Sequence, residues 1–276
     1  MKKILSILSI VVLLTSSLLA FSSCVSKSND EFRVGLECAY APFNWTQLDD
    51  SNGAVQISGS AEYAGGYDIQ IAQKIADGLG KKLVIVKTEW DGLTPALTSG
   101  TIDAIIAGMS PTADRKLTID FTDKYYKSDL VLVVKKGGAY ENATSLADFS
   151  GAKVTAQQNT FHYTVIDQIT GVDKQTAMSD FSAMRVALES GIIDAYVSER
   201  PEGLSAAAAN DNFAMVTFKP VRGFTFSDDD ISIAVGIKKG QEDLVEQINT
   251  ILAGISEEER AQIMNTAIAN QPTSQD

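Results

Sequence analysis

Thr98–Gly108 reads TSGTIDAIIAG, and ninety-one positions later Glu189–Glu199 reads ESGIIDAYVSE. In register, Leu97/Leu188, Ser99/Ser190, Gly100/Gly191, Ile102/Ile193, Asp103/Asp194 and Ala104/Ala195 are identical. Glycine after a helix is common, so a short echo can arise by chance. The matched flanks argue for a repeated architecture instead. Each phrase follows a helical pattern, LTPALTSG and DFSAMRVALESG, and each opens an apolar strand, IDAIIAG and IIDAYV.

The pattern extends in both directions. FRVGL (32–36) and KLVIVKT (82–88) read as buried strands. Between them GYDIQIAQKIADGLG places Ile71, Ala72, Ile75, Ala76 and Leu79 at helical spacing, with Gly80 as cap. AKVTAQ (152–157) reads as a strand and TFHYTVIDQIT as a helix. DLVLVVKKG (129–137) reads as a strand crossing between the units, with RGFTFSDDD (222–230) as the return. ISIAVGIKKG then gives a strand, QEDLVEQINTILAGI a helix, and Ser256 with Glu259 the capping-box spacing of a last helix. Strand–helix–strand order predicts parallel pairing with helices on the sheet faces. The expected fold is α/β in two lobes: residues 32–130 with 224–270 form lobe 1, 131–223 form lobe 2, and 271–276 are a tail.

In such sheets ligands sit beyond the carboxyl ends of the strands. After the first phrase come Ala107, Gly108, Met109, Ser110, Pro111, Thr112 and then Arg115. Small residues allow close backbone approach, and a helix start with a guanidinium suits a carboxylate. A surface Arg115 neutralised by Asp114 or Asp120 is the alternative. The second phrase ends in Glu199, which either faces that anion site across a cleft or is a solvated partner of Arg200. Together Arg115 and Glu199 suit a zwitterion. Glu37 and Tyr40 follow the first strand and Trp90 the second. Two aromatic rings with a carboxylate make a slot for a flat cation, or else the rings simply pack.

The chain has 276 residues, is 45% hydrophobic and carries a formal charge of −12. Residues 1–23 hold two lysines and no acid, leaving −14 on the rest. That balance argues against nucleic acid and anionic membrane surfaces as partners. Lys2-Lys3 followed by the apolar run Ile4–Ala20 reads as a secretory signal, with an uncleaved anchor as the alternative. Phe21-Ser22-Ser23-Cys24 resembles a bacterial lipobox, which implies acylation of Cys24. Residues 24–31 then form a lipidated tether to the membrane. Cys38 is left without a partner and reads as a small buried hydrophobe. A single histidine, His162, rules out a multi-histidine metal cluster; no metal or cofactor is expected.

Taken together, GLECAYAPF, GGYDIQIAQKIADGLG, WDGLTPALTSGTIDAIIAGMSPTADR, IDFTDKYYKSDLVLVV and ALESGIIDAYVSE resemble the extracytoplasmic solute-binding proteins for polar amino acids that feed ABC importers. The resemblance covers about Phe32 to Ile268. It implies a two-lobed, type II periplasmic-binding-protein fold, each lobe a mixed sheet flanked by helices, with a two-strand hinge that closes on a ligand. It also implies roles. Arg115 grips the α-carboxylate with backbone near Ser110 and Thr112, and Glu199 receives the α-ammonium. Tyr40 and Trp90 are aromatic walls. Glu37 matches the acid of proteins similar to lysine/arginine/ornithine binders, and Gln157 and Thr160 add contacts from lobe 2. Ala107-Gly108 stands where basic amino acid binders often have Ser-Ser, and Asn159 where glycine is usual. The implied protein is a monomeric lipoprotein, not an enzyme, that delivers arginine or lysine to a permease. The alternatives are a neutral polar ligand such as glutamine, or a dehydratase-like enzyme on the same scaffold.

Overall fold

The computed structural model describes residues 30–272. Lobe 1 opens with β1 (Glu31–Leu36) and a small meander, β2 (Ala39–Tyr40), β3 (Asn44–Gln47), β4 (Val55–Gln56) and β5 (Tyr63–Gly65). It continues through α1 (Tyr67–Gly78), β6 (Lys82–Lys87), α2 (Trp90–Ser99), β7 (Ala104–Ile105), α3 (Ala113–Thr118) and β8 (Ile119–Lys127). Lobe 2 holds β9 (Leu130–Lys135), β10 (Lys153–Thr155), α4 (Phe161–Val165), β11 (Asp173–Lys174), α5 (Phe181–Glu189), β12 (Ala195–Glu199), α6 (Arg200–Ala209) and β13 (Phe213–Val216). The chain then returns to lobe 1 as β14 (Ser232–Lys238), α7 (Glu242–Ala253) and α8 (Glu257–Asn270).

Each lobe has a five-stranded sheet, ordered β6-β1-β7-β14-β8 in the first and β11-β10-β12-β9-β13 in the second. The expected parallel pairs are present, β1 with β6 and β7, and β10 with β11 and β12. Both sheets are mixed, as the implied fold has them, because β14 runs antiparallel to β7 and β8, and β9 antiparallel to β12 and β13.

The repeated phrase has a structural cause. Asp103 bonds the start of β1 twice: its carboxylate accepts the Arg33 N–H at 2.9 Å, and its own N–H donates to the Arg33 carbonyl at 2.7 Å. Asp194 does the same at β10, accepting from the Lys153 N–H at 2.8 Å and donating to its carbonyl at 2.8 Å. The next residue, Ala104 or Ala195, then pairs with Val34 or Val154 in the lobe's first parallel strand. Gly100 closes α2 at φ 82°, and Gly191 takes φ 74° at the equivalent turn. This left-handed conformation suits glycine.

Local chemistry accounts for most helices. α1 buries Ile69, Ile71, Ala72, Ile75 and Ala76, each worth up to about 1.5–3 kcal/mol for the larger side chains. α5 is capped by Asp180, which accepts the Ala183 N–H at 2.8 Å, and α8 by Ser256, which accepts from Glu259 at 3.1 Å. Two expected elements are shorter than their patterns. The helix over TFHYTVIDQIT is one α turn followed by a 3-10 turn, Ile166–Gln168. The strand over IDAIIAG is cut to β7, because Ile106–Ser110 turn toward the cleft.

The chain passes between lobes twice, from β8 to β9 and from β13 to β14. Asp228 in the returning segment pairs with Lys124 and Lys127 of β8, and Asp229 pairs with Lys116 at 2.5 Å. No helix among the described residues is long and apolar enough to cross a membrane. The signal segment, Cys24 and its tether lie outside the described residues, apart from Asp30 and Glu31.

Candidate functional site

Strand ends from both lobes meet at one crevice. Lobe 1 contributes Tyr40, Trp90, Gly108, Ser110 and Arg115; lobe 2 contributes Gln157 and Thr160. Three further lining residues, Phe161, His162 and Phe181, come from lobe 2 and were not anticipated in this role. The lobes stand closed on each other, leaving about 10 Å³ between them. That is room for roughly one water, so an amino acid gains access only when the lobes part. Larger grooves lie on the outside of the lobes, such as one of about 310 Å³ on lobe 1 bounded by Gln70, Lys74 and Gln262 and one of about 260 Å³ on lobe 2 beside Arg185. They are away from the strand ends, and the Lys74–Glu259 ion pair occupies the lining of the first.

Arg115 is fixed by its own turn. Thr112 caps α3, its hydroxyl accepting the Arg115 N–H at 3.4 Å, and the Arg115 guanidinium donates to the Ser110 carbonyl at 2.9 Å. The ring of Trp90 lies 5.0 Å from the guanidinium carbon, so Trp90 packs against Arg115 while lining the crevice together with Tyr40. Arg115 also reaches lobe 2, donating to the Asn159 carbonyl at 3.1 Å. Burial pulls its pKa down to about 10, which still leaves it cationic at neutral pH. Neither expected surface partner holds it: Asp120 pairs with Lys239 at 2.7 Å.

Glu199 ends β12 and is 1% exposed. Arg200 turns away to Asp129, at 2.9 Å, so the solvated-pair reading of Glu199 fails. One Glu199 oxygen accepts from the Tyr40 hydroxyl of the opposite lobe, and the other lies 3.0 Å from His162 Nε2. Burial drives the Glu199 carboxyl up to about 8, and burial with the nearby Arg115 charge drives His162 down to about 3. The imidazole is therefore neutral at pH 7, with its Nε2 within hydrogen-bond distance of the Glu199 carboxyl. Its Nδ1 is buried without a partner in the described structure.

Glu37 is also buried, and among the described residues its side-chain partner is the Gln157 amide of lobe 2, whose nitrogen lies 3.1 Å from both carboxylate oxygens. The same nitrogen donates to the Ser179 carbonyl at 3.0 Å. Burial, reinforced by Asp180 and Glu89, lifts the Glu37 carboxyl to about 8 despite the amide hydrogen bond. Thr160 donates to the Gln157 carbonyl at 2.6 Å and so holds this turn. Ala107 is fully buried behind Gly108 and does not line the crevice. Asn159 adopts φ 54°, a left-handed geometry that asparagine tolerates, in the position where glycine is usual.

A second layer holds the first. Asp68, fully buried at the start of α1, accepts from Tyr125 at 2.8 Å, from Asn44 at 2.9 Å and from the Gly108 backbone. Burial nevertheless raises it to about 7. The opposed charges, the hinge crossings and the closed lobes are those of a clamshell receptor. Residues 32–269 match the model of the bacterial extracellular solute-binding proteins, family 3.

The chain belongs to that family.

Relatives place this solute-binding protein among amino acid binders. It is 31% identical over 222 residues to a probable histidine-binding protein of Campylobacter jejuni, covering 79% of this chain and 76% of that one. It is 34% identical over 190 residues to the glutamine-binding protein GlnH of a Bacillus subtilis ABC transporter, covering 68% and 66%. Among solved structures, it superposes with a TM-score of 0.76 on an amino acid ABC transporter substrate-binding protein from Streptococcus pneumoniae bound to L-arginine. That pair is 28% identical over 87% of this chain and 94% of the other. The solute-binding protein is thus the substrate-binding component of an extracytoplasmic amino acid importer. Its relatives are binding proteins, not enzymes.

Proposed function

We propose that the protein captures a cationic amino acid, arginine or lysine, by hinge closure and hands it to its permease. The observation that carries this reading is Glu37, a carboxylate buried between the lobes whose side-chain partner among the described residues is an amide and not a cation. Burying a carboxylate is costly unless a cation compensates, and a ligand side chain supplies one. In this reading Arg115 takes the α-carboxylate together with backbone at Ser110 and Thr112. Glu199 takes the α-ammonium, which replaces the Tyr40 hydroxyl. Tyr40 and Trp90 flank the ligand, and Gln157 and Thr160 close over it.

The magnitudes suffice. Charge-assisted hydrogen bonds contribute roughly 1.5–3 kcal/mol each, and micromolar affinity needs only about 8 kcal/mol. The ligand displaces a protein-made closure, so it acts by favouring the closed form over the open one. Cys24 would carry fatty acyl chains that hold this monomer at the outer face of the cell membrane. Incorporation of labelled palmitate, abolished in Cys24→Ala, tests that part.

Calorimetry tests the ligand. Arg115→Ala is expected to abolish binding of every amino acid. Glu37→Gln is expected to weaken arginine and lysine by about thirtyfold or more while sparing neutral amino acids. Indifference of arginine and lysine to Glu37→Gln sinks the cationic reading. A neutral amide ligand such as glutamine is the second reading, favoured by the amide of Gln157 that already rests on Glu37. Amino acids recovered unaltered after long incubation would separate binding from dehydratase-like chemistry.

A further inference from the structure

The lobes meet a second time outside the crevice. α8 ends at Asn270, and Pro272 denies Gln271 the helical conformation. Gln271 turns extended, at φ −61° and ψ 150°, and its side chain crosses to α6 of lobe 2. Its amide nitrogen donates to the Ser205 carbonyl at 3.0 Å, and its amide oxygen accepts from the Ser205 hydroxyl. Gln271 is 6% exposed and Ser205 is fully buried. Pro272 also lies on lobe 2, lining the groove beside Arg185.

The Ser205 hydroxyl has a second partner, Arg185 of α5, which donates to it at 2.9 Å. The Arg185 guanidinium is fixed within lobe 2 by Glu202, a fully buried carboxylate 2.9 Å away that also accepts from the Tyr196 hydroxyl at 2.9 Å. It reaches lobe 1 as well, donating to the Ala41 carbonyl at 3.4 Å. Ala41 follows Tyr40, whose ring stacks on Phe181 one turn before Arg185, with centroids 4.2 Å apart. The linked side chains of Glu202, Arg185, Ser205 and Gln271 therefore run from beside the crevice to the end of α8. None of the four lines the crevice itself.

We propose that Gln271 is a positioning residue for closure, the core of a third, non-covalent tie beside the two chain crossings. The tie forms as the lobes shut and delays their reopening; it rests on closure over a ligand, not on the ligand's charge. Parting the lobes separates Tyr40 from Glu199, and with them Ala41 from Arg185 and Gln271 from Ser205. The chemistry suits a reversible catch. Gln271 and Ser205 are neutral, so water replaces both bonds when the tie opens. The charged pair Arg185–Glu202 stays whole inside lobe 2, so opening orphans no buried charge. Because the tie touches no ligand atom, it acts equally on every amino acid the crevice accepts, through the fraction of closed protein.

Stopped-flow release and calorimetry on the full chain, with arginine, lysine and glutamine as probes, test this. Gln271→Ala is expected to release each bound probe about five times faster at an unchanged association rate, weakening all of them by the same factor. Ser205→Ala is expected to act in the same direction, and the double variant by less than the product of the two. An unchanged release rate, even beside a lower unliganded melting temperature, leaves Gln271 a packing contact and overturns the inference. An effect confined to one of several bound probes overturns it too. Binding of glutamine alone sinks the cationic reading and leaves this test intact. If none of the three binds, small-angle X-ray scattering of the unliganded proteins decides: a larger radius of gyration in Gln271→Ala than in wild type is expected, and equal radii overturn the proposal. Should Gln271→Ala fail to fold, NMR on wild type decides. The side-chain amide protons of Gln271 are expected to exchange with water about tenfold more slowly once a probe is bound, and equal exchange overturns the proposal.

Discussion

Gly108 shows how little freedom the binding crevice leaves its residues. It sits at φ 61°, and a Cβ placed on it would lie 2.5 Å from a ring carbon of Tyr40. Gly108→Ala therefore combines left-handed strain of about 1–2 kcal/mol with an overpacking cost of about 1–3 kcal/mol. The expected result is a lower melting temperature and at least tenfold weaker ligand binding, both measurable by a thermal-shift series with added arginine. Gly66 is constrained more severely: at φ 122° its Cβ would meet the Phe43 carbonyl at 2.4 Å. Backbone cannot yield as a side-chain end can. At this scale the sequence was legible wherever a residue acts on its own strand or turn. Glu37 and Glu199 stand at the ends of β1 and β12, and Arg115 lies in the first turn of the helix that follows β7. His162 and Phe181 were not legible as site residues, because each lies on a separate helix with no motif around it. A signal for Phe181 existed in its position, the first helical residue just before the repeated phrase, but only the fold gives that position a meaning.

The turn Gln157–Thr160 is the element that joins the lobes most directly. The side-chain amides of Gln158 and Asn159 both donate to Asp91 at the start of α2, each at 2.8 Å, while Arg115 donates to the Asn159 carbonyl. These contacts exist only with the lobes closed. Asp91→Ala removes the shared acceptor without touching the crevice lining. It is expected to speed ligand release about three- to tenfold with little effect on the association rate, because the contact forms after docking. Stopped-flow fluorescence from Trp90 measures this, and an unchanged release rate would show that the latch contributes nothing. Among elements, the long amphipathic ones were readable from periodicity, as in α1 and α7. The nine-residue β8 was not, since Ile119–Lys127 mixes charged and aromatic residues without clean alternation. Its place beside β14, with register shifts at Ile233–Gly236, depends on a partner more than a hundred residues away.

For the molecule as a whole, folding buries three acids that water would otherwise keep ionised, Asp68 within lobe 1 and Glu37 and Glu199 between the lobes. Glu37 and Glu199 rise to about 8 and Asp68 to about 7, all chiefly by burial. Between their ordinary values near 4 and these raised values, the folded protein binds more protons than the unfolded chain. Stability is therefore lost as pH rises through that window. His162 acts in the opposite sense, since it is depressed to about 3, but its effect fades about one pH unit above its ordinary value of 6.5. From about pH 7.5 to 8.5 the acids dominate, and Cys38, raised by burial, acts in the same direction as they do. The melting temperature without ligand is expected to fall over that range, and to fall less in Glu37→Gln. A profile identical in the two proteins would contradict the assignment of Glu37 as a buried, uncompensated acid.

The sequence by itself determined the two α/β units, the strand ends that bear Glu37 and Glu199 with the helix start that bears Arg115, and the family, because all three are written in local periodicity and in motifs of consecutive residues. Only the tertiary structure decided that Trp90 packs against Arg115, that Phe181 covers Tyr40, and that His162 and Tyr40 share the oxygens of Glu199. Those pairings cross between lobes or between distant helices. Their geometry is set by how two independently folded sheets dock about the hinge, which no stretch of chain encodes alone.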